Sequence, residues 1–141
     1  MIVLDTNVIS EPLRPRPDAG VLAWLDAQAP ETLCLTTISL AELLAGVELL
    51  PAGRRRKRLA DALTQRVLPL FEGRVFGFDA PAAHVFARVQ AGARAAGHPI
   101  GLADGAIAAI AAAHGCMIAT RNAKDFLGTG VGVIDPWAAV G

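Results

Sequence analysis

Met1-Ile2-Val3-Leu4-Asp5-Thr6-Asn7 is an apolar run of strand-forming residues that stops at a carboxylate, and the reading of that stop decides the fold. In open α/β sheets the loops outside the carboxyl ends of the strands form the ligand crevice, so an acid placed there faces solvent and substrate. The plainer reading is that Asp5 caps the helix after the strand, because Asp, Thr and Asn are all favoured N-caps and turn formers. On the residues alone both readings stand. The way forward is to ask which other acids could meet Asp5.

Outward from this start, strand and helix signals alternate. Ser10-Glu11-Pro12-Leu13-Arg14-Pro15-Arg16-Pro17 is too rich in proline for a long helix and predicts a rigid connector with Arg14 and Arg16 exposed. Asp18 is placed to cap a helix carrying Val21, Leu22 and Leu25, with Trp24 as packing. A second strand is expected over 32–36, and a helix from Ser39 to about Leu50. The basic run Arg54-Arg55-Arg56-Lys57-Arg58 heads a further helix with Leu59, Leu63 and Val67 on one face. A third strand is expected over 74–78, and Asp79 caps a helix running through Val85, Val89 and Ala93 to a stop at Gly97. A long alanine-rich helix from about Ile100 to His114, with an apolar face through Leu102, Ala106, Ile110 and Ala113, ends at Gly115. Strands over 116–120 and 131–134 close the series. This alternation predicts a parallel, three-layer α/β sheet.

Composition narrows the classes. The chain has 141 residues, of which 53% are hydrophobic, enough for one domain over 1–141 with a large core. Thirteen basic residues balance thirteen acidic ones, so any contact with nucleic acid must come from local clusters. Cys34 and Cys116 lack metal-ligand spacing and read as reduced core thiols. His84 has no histidine partner at ligand spacing and is given no role. The apolar start is too short for a signal peptide, and no apolar run reaches the roughly 18 residues needed to cross a membrane, so a cytoplasmic protein is expected.

Two further acids share Asp5's type of position. Glu42 opens the helix after the second strand, although Ser39-x-x-Glu42 also matches a capping box. Asp104 falls in the first turn of the alanine-rich helix, where the dipole favours a carboxylate. Simple alternation does not carry Asp104 to the edge where Asp5 and Glu42 lie, because its helix precedes a strand. If the three converge, their repulsion demands a cation, and an all-carboxylate set suits Mg²⁺ or Mn²⁺. Such a cluster hydrolyses phosphodiesters.

The constellation Leu4-Asp5-Thr6-Asn7-Val8, Ala41-Glu42-Leu43, Ala103-Asp104 and Ala119-Thr120-Arg121-Asn122-x-x-Asp125-Phe126 resembles the PIN-domain ribonucleases, specifically the VapC toxins of bacterial toxin–antitoxin pairs. The opening through Ile9-Ser10-Glu11-Pro12 and the Pro136-Trp137 ending resemble the FitB-like branch. The resemblance spans almost the whole chain and implies a PIN-like α/β/α fold with about five parallel strands. It implies a metal site of Asp5, Glu42 and Asp104, with Thr6 or Thr120 orienting a water or ligand, and sets the capping readings aside. Where the family often has an Asp directly after Thr-Arg, this chain has Asn122, and the next acid is Asp125. The fourth position therefore falls to Asn122 or Asp125, and an amide would serve without the charge.

The expected function is the toxin of a type II toxin–antitoxin system, a Mg²⁺- or Mn²⁺-dependent endoribonuclease. The alternative is a non-catalytic PIN-like module that binds RNA or protein. A haloacid-type phosphatase wants a second Asp where Asn7 stands, and no P-loop occurs. Expected partners are RNA, a cognate antitoxin that is a small DNA-binding protein, and a second copy of the chain. The antitoxin would silence the site by inserting Arg or Lys beside Asp5 and Asp104.

Overall fold

The computed structural model describes residues 1–138. Five short parallel strands, β1 (Ile2–Leu4), β2 (Leu33–Thr36), β3 (Val75–Phe76), β4 (Met117–Ala119) and β5 (Val133–Ile134), form one sheet in the order β3-β2-β1-β4-β5. The first strand of the chain is thus the central one. Val3 pairs with Cys34 on one side and Ile118 on the other. Because strand side chains alternate, these three face one layer, while Leu4, Leu35 and Ala119 face the other.

Each face is covered by helices, giving the expected three layers. Helices α5 (Ala80–Ala95) and α6 (Leu102–Ala113) bury Val89, Ala93, Ile107, Ala108 and Ala111 against the Val3 face. Helices α1 (Thr6–Ser10), α2 (Ala19–Asp26) and α3 (Thr37–Glu48), with the segment after α4 (Arg54–Ala62), cover the Leu4 face through Val8, Ile9, Leu43, Leu63 and Phe71. Trp24 packs there as well. Cys34 and Cys116 are free and buried, and burial pushes the Cys34 thiol up to about 11, so it behaves as a packing group.

The local signals explain the boundaries. Asp18 caps α2 through the Val21 amide at 3.0 Å, and Asp79 caps α5 through the Ala82 amide at 3.0 Å. The proline-rich connector is anchored by Glu11, which is only 3% exposed and accepts from Arg14 Nη1 at 3.1 Å and the Asp18 amide at 3.2 Å. After α4 the chain continues through a π-turn (Leu63–Val67) and a 3₁₀ turn (Leu68–Phe71), so the face expected through Leu59, Leu63 and Val67 is distorted and only Leu63 is fully buried.

Helix α6 corrects the expected face through Leu102, Ala106, Ile110 and Ala113. Leu102 is 78% exposed and Ala113 is exposed, whereas every residue from Gly105 to Ala111 is buried. The helix touches α3, α5 and β4, so a narrow stripe is replaced by burial nearly all round.

Two helices, rather than one, join β3 to β4, and this resolves the problem of Asp104. Helix α5 starts where β3 ends. Its far end packs against Gly128, in the segment that follows β4, and the turn after it borders a cavity shared with Lys124, Asp125 and Leu127. The turn over 96–101 then starts α6 at the carboxyl edge. Gly128 has φ +80°, and a Cβ there would stand 2.9 Å from the Ala96 Cβ and 3.3 Å from the Ala93 Cα. Gly128→Ala therefore combines left-handed strain with overpacking, and is expected to cost about 1–3 kcal/mol in urea unfolding; an unchanged midpoint would show that α5 is not held there.

Candidate active site

The carboxyl ends of β1 and β4 meet at Asp5. Its backbone amide donates to the Ala119 carbonyl at 2.9 Å, extending the ladder by one residue. Its Oδ1 accepts from the Thr6 amide at 2.8 Å, which caps α1, and its Oδ2 accepts from Thr120 Oγ1 at 2.7 Å. The capping role and the strand-end role are thus performed by the two oxygens of one carboxylate. Asp5 is 7% exposed and Thr120 fully buried, so this pair is shielded from water and its orientation is fixed. The Thr120 oxygen also accepts from the Asn122 amide at 3.0 Å, which commits its proton to Asp5.

Glu42 arrives differently from the sequence expectation. The N-cap of α3 is Thr36, whose hydroxyl accepts from the Ser39 amide at 3.1 Å. Ser39 therefore sits at the third helical position, no capping box forms, and Glu42 lies beyond the first turn. The competing signal was Thr36 at the end of β2, an N-cap one turn upstream of Ser39. Freed from capping, the exposed Glu42 side chain accepts from Thr6 Oγ1 at 3.3 Å. The buried Ser39 hydroxyl has no partner among the described residues.

Asp104 sits, as expected, in the first turn of α6 and is half-buried. Its carboxyl is held above the ordinary carboxylate range, first by burial, then by the charges of Asp5, Asp125 and Glu42 in that order. Acids from four separate segments are therefore gathered at one edge of the sheet. Asp125, in a 3₁₀ turn after β4 (Ala123–Phe126), is among the charges that raise the Asp104 carboxyl, whereas Asn122 has no charge to contribute. Asn122 serves through its backbone amide on Thr120.

One contact was not anticipated. The Arg121 amide donates to Asn7 Oδ1 at 3.3 Å, joining the Asp-Thr-Asn and Thr-Arg-Asn stretches, while the Arg121 guanidinium lies 5.1 Å from the Trp137 ring centroid. Neither carries a periodicity that would single it out. A groove of about 750 Å³ opens from Thr6 and Glu42 towards α4.

The donors at this edge are all oxygen, which fits a hard divalent cation such as Mg²⁺ or Mn²⁺. Among the described residues no three acids close on a single point. Asp5 and Glu42 are instead each turned onto a threonine hydroxyl, a spacing that agrees with the repulsion felt at Asp104.

Comparison with known proteins agrees with this geometry. A family model described as the PIN domain matches residues 2–129. The chain is 50% identical over 137 residues to VapC ribonuclease Y4jK of Sinorhizobium fredii, covering 97% of this chain and 98% of that one. It is 47% identical over 137 residues to Toxin FitB of Neisseria gonorrhoeae, covering 97% and 99%. A solved structure of FitAB bound to an IR36 DNA fragment aligns with a TM-score of 0.96 at 44% identity, covering 100% of this chain and 99% of that chain.

The raised Asp104 pKa fixes a stability prediction. A carboxyl that binds its proton more tightly folded than unfolded loses stability as pH rises from the unfolded pKa, about 3.9, through the folded value, and the loss persists above it. In EDTA, Asp104→Asn should melt higher than the parent at pH 7, and the difference should vanish towards pH 3. A difference that does not change with pH would mean the gain is not electrostatic.

Proposed function

The chain belongs to the PIN-domain family, and from that membership and the acid edge we propose the working of a toxin of the VapC/FitB kind, a nuclease of a toxin–antitoxin pair. The observation that carries the catalytic reading is that Asp5, Glu42 and Asp125, from three other segments, lie near enough to Asp104 for their charges to raise its proton affinity. The proposed substrate is RNA and the proposed cofactor Mg²⁺ or Mn²⁺, held by Asp5, Glu42 and Asp104 with Asp125 as fourth acid.

When bound, the ion supplies Lewis-acid charge for the phosphodiester and the attacking water. The chain's own residues do the positioning. Thr120 locks one oxygen of Asp5 and the Thr6 amide the other, so the carboxylate keeps one rotamer whatever the occupancy of the site. Thr6 Oγ1 steers Glu42 toward the same edge. Asp104, whose proton affinity burial and then its acidic neighbours raise, would be relieved by a cation. On this reading Asp125 supplies the charge that Asn122 lacks, which supports the catalytic function over the alternative of a non-catalytic PIN-like module.

RNA as substrate implies the cytoplasm, and no helix among the described residues is long and apolar enough to cross a membrane. The proposed partners are a cognate antitoxin, in line with the FitAB assembly on DNA, and a second copy of the chain, for which exposed apolar side chains such as Leu49 and Leu102 offer surface.

Chelation should abolish RNA cleavage. Asp5→Asn and Asp104→Asn should each lower kcat/KM by roughly 100-fold or more while the fold is kept, and Thr120→Val, which removes the bond to Asp5 and the acceptor of the Asn122 amide, should weaken metal affinity by roughly 10–100-fold. Asp125→Ala should raise the metal concentration needed for half-maximal cleavage, whereas Asn122→Asp should shift it little. Full activity in EDTA or in either Asn variant excludes the metal reading; a silent Asp125→Ala with a tightened Asn122→Asp would reassign the fourth position. Expressed alone the chain should arrest growth, and co-expression with the protein encoded beside it should restore it; a harmless overproduced chain excludes the toxin reading.

A further inference from the structure

The basic run at the start of α4 is divided by the helix into three jobs. Arg56 Nη2 pairs with Glu48 Oε2 at 2.7 Å and ties α4 to the end of α3. Arg54, Lys57, Asp61 and Gln65 line a second pocket, which Arg58 borders as well. Arg55, Arg58, Leu59 and Leu63, spaced i, i+3, i+4 and i+8, line the groove of about 750 Å³ whose other end is formed by Thr6 and Glu42. Arg14, held by Glu11, lines the same groove.

We propose that Arg55 and Arg58, with Arg14, hold backbone phosphates of single-stranded RNA on the Thr6–Glu42 side of the acid edge, and so position the strand for cleavage. The inference rests on the ribonuclease reading and extends it to particular phosphate-binding residues. Three observations carry it. The groove is continuous with the site, so a strand whose phosphodiester lies at the acids has a path along it. The charges in it are costly: α4 starts at Gly53, which offers no side-chain cap, has no acid in its first turn, and stacks like charges on the positive end of the helix dipole. A polyanion relieves that cost. Finally, Leu43, Val47 and Leu59 give the groove apolar surface suited to ribose and base faces turned away from the phosphates. Acids repel phosphates at one end and arginines attract them at the other, which sets register in a chain of zero net charge.

Fluorescence anisotropy of a labelled mixed-sequence single-stranded RNA on the full chain in EDTA, over a salt series, tests this. Arg55→Gln with Arg58→Gln should lower affinity at least about fivefold and flatten the slope of log affinity against log salt by about 1.4, about 0.7 for each phosphate no longer neutralised. Arg55→Lys with Arg58→Lys should keep the slope, and Arg54→Gln with Lys57→Gln should change affinity less than about twofold. With metal, the Arg55→Gln/Arg58→Gln chain should raise KM and keep kcat, and it should melt no lower than the parent because like charges are removed. If it binds RNA as the Arg54→Gln/Lys57→Gln chain does while the parent cuts RNA, the proposal is overturned and the ribonuclease reading stands. If RNA affinity is unchanged and binding of the neighbouring-gene protein is lost, the groove is a protein dock and the proposal is likewise overturned. A parent that neither binds nor cuts RNA removes both.

Discussion

A carboxylate that is nearly excluded from water must have its oxygens matched by donors, and Asp5 meets this demand with one backbone amide and one threonine hydroxyl from the far end of the chain. The bond from Thr120 to Asp5 joins the tips of two adjacent parallel strands. It therefore requires that β4 lie beside β1, that both end at the same level, and that the residue after each be polar. Val3 against Ile118 and Leu4 against Ala119 supply that register, and the Asp5 amide on the Ala119 carbonyl extends it to the site. Shifting either strand by one residue would exchange the side chains it buries in the two core layers and part the Thr120 hydroxyl from Asp5.

The central strand, the caps at Asp18 and Asp79 and the two buried cysteines were legible because each rests on chemistry local to a few residues. The Ser39-x-x-Glu42 match misled because a capping box is a pattern, while the cap itself is decided by which residue leaves helical backbone geometry first, and that is Thr36. The face of α6 misled for a different reason. A periodic stripe assumes one packed side, and a helix enclosed by α3, α5 and β4 has none to favour.

Asp104 was the site residue least accessible to local reasoning. Its arrival at the acid edge depends on α5 finishing against Gly128 and on α6 approaching α5 closely. The second condition is met by Gly105, where a Cβ would stand 2.6 Å from Gln90 Nε2 and 3.0 Å from Phe86 Cε2. Pairings between segments so far apart in sequence leave no periodic trace. The resemblance to the PIN-domain family carried this residue; the helix pair in the β3–β4 connection supplies its physical reason.

The same edge explains why a chain of zero net charge can be strongly polarised. Burial first, and then acids from three other segments, raise the proton affinity of Asp104, which is stability the folded chain gives up when nothing positive sits among them. Whatever binds the native edge and not the unfolded chain recovers that stability in proportion to its occupancy. A divalent cation does so, and so does a basic side chain presented by another protein. Under the proposed reading the activating ion and a silencing partner therefore draw on one electrostatic source and exclude each other, and no conformational switch is needed to couple them. Under the same reading the arginines of the groove beside α4 would guide a polyanion toward an edge whose acids a bound cation screens.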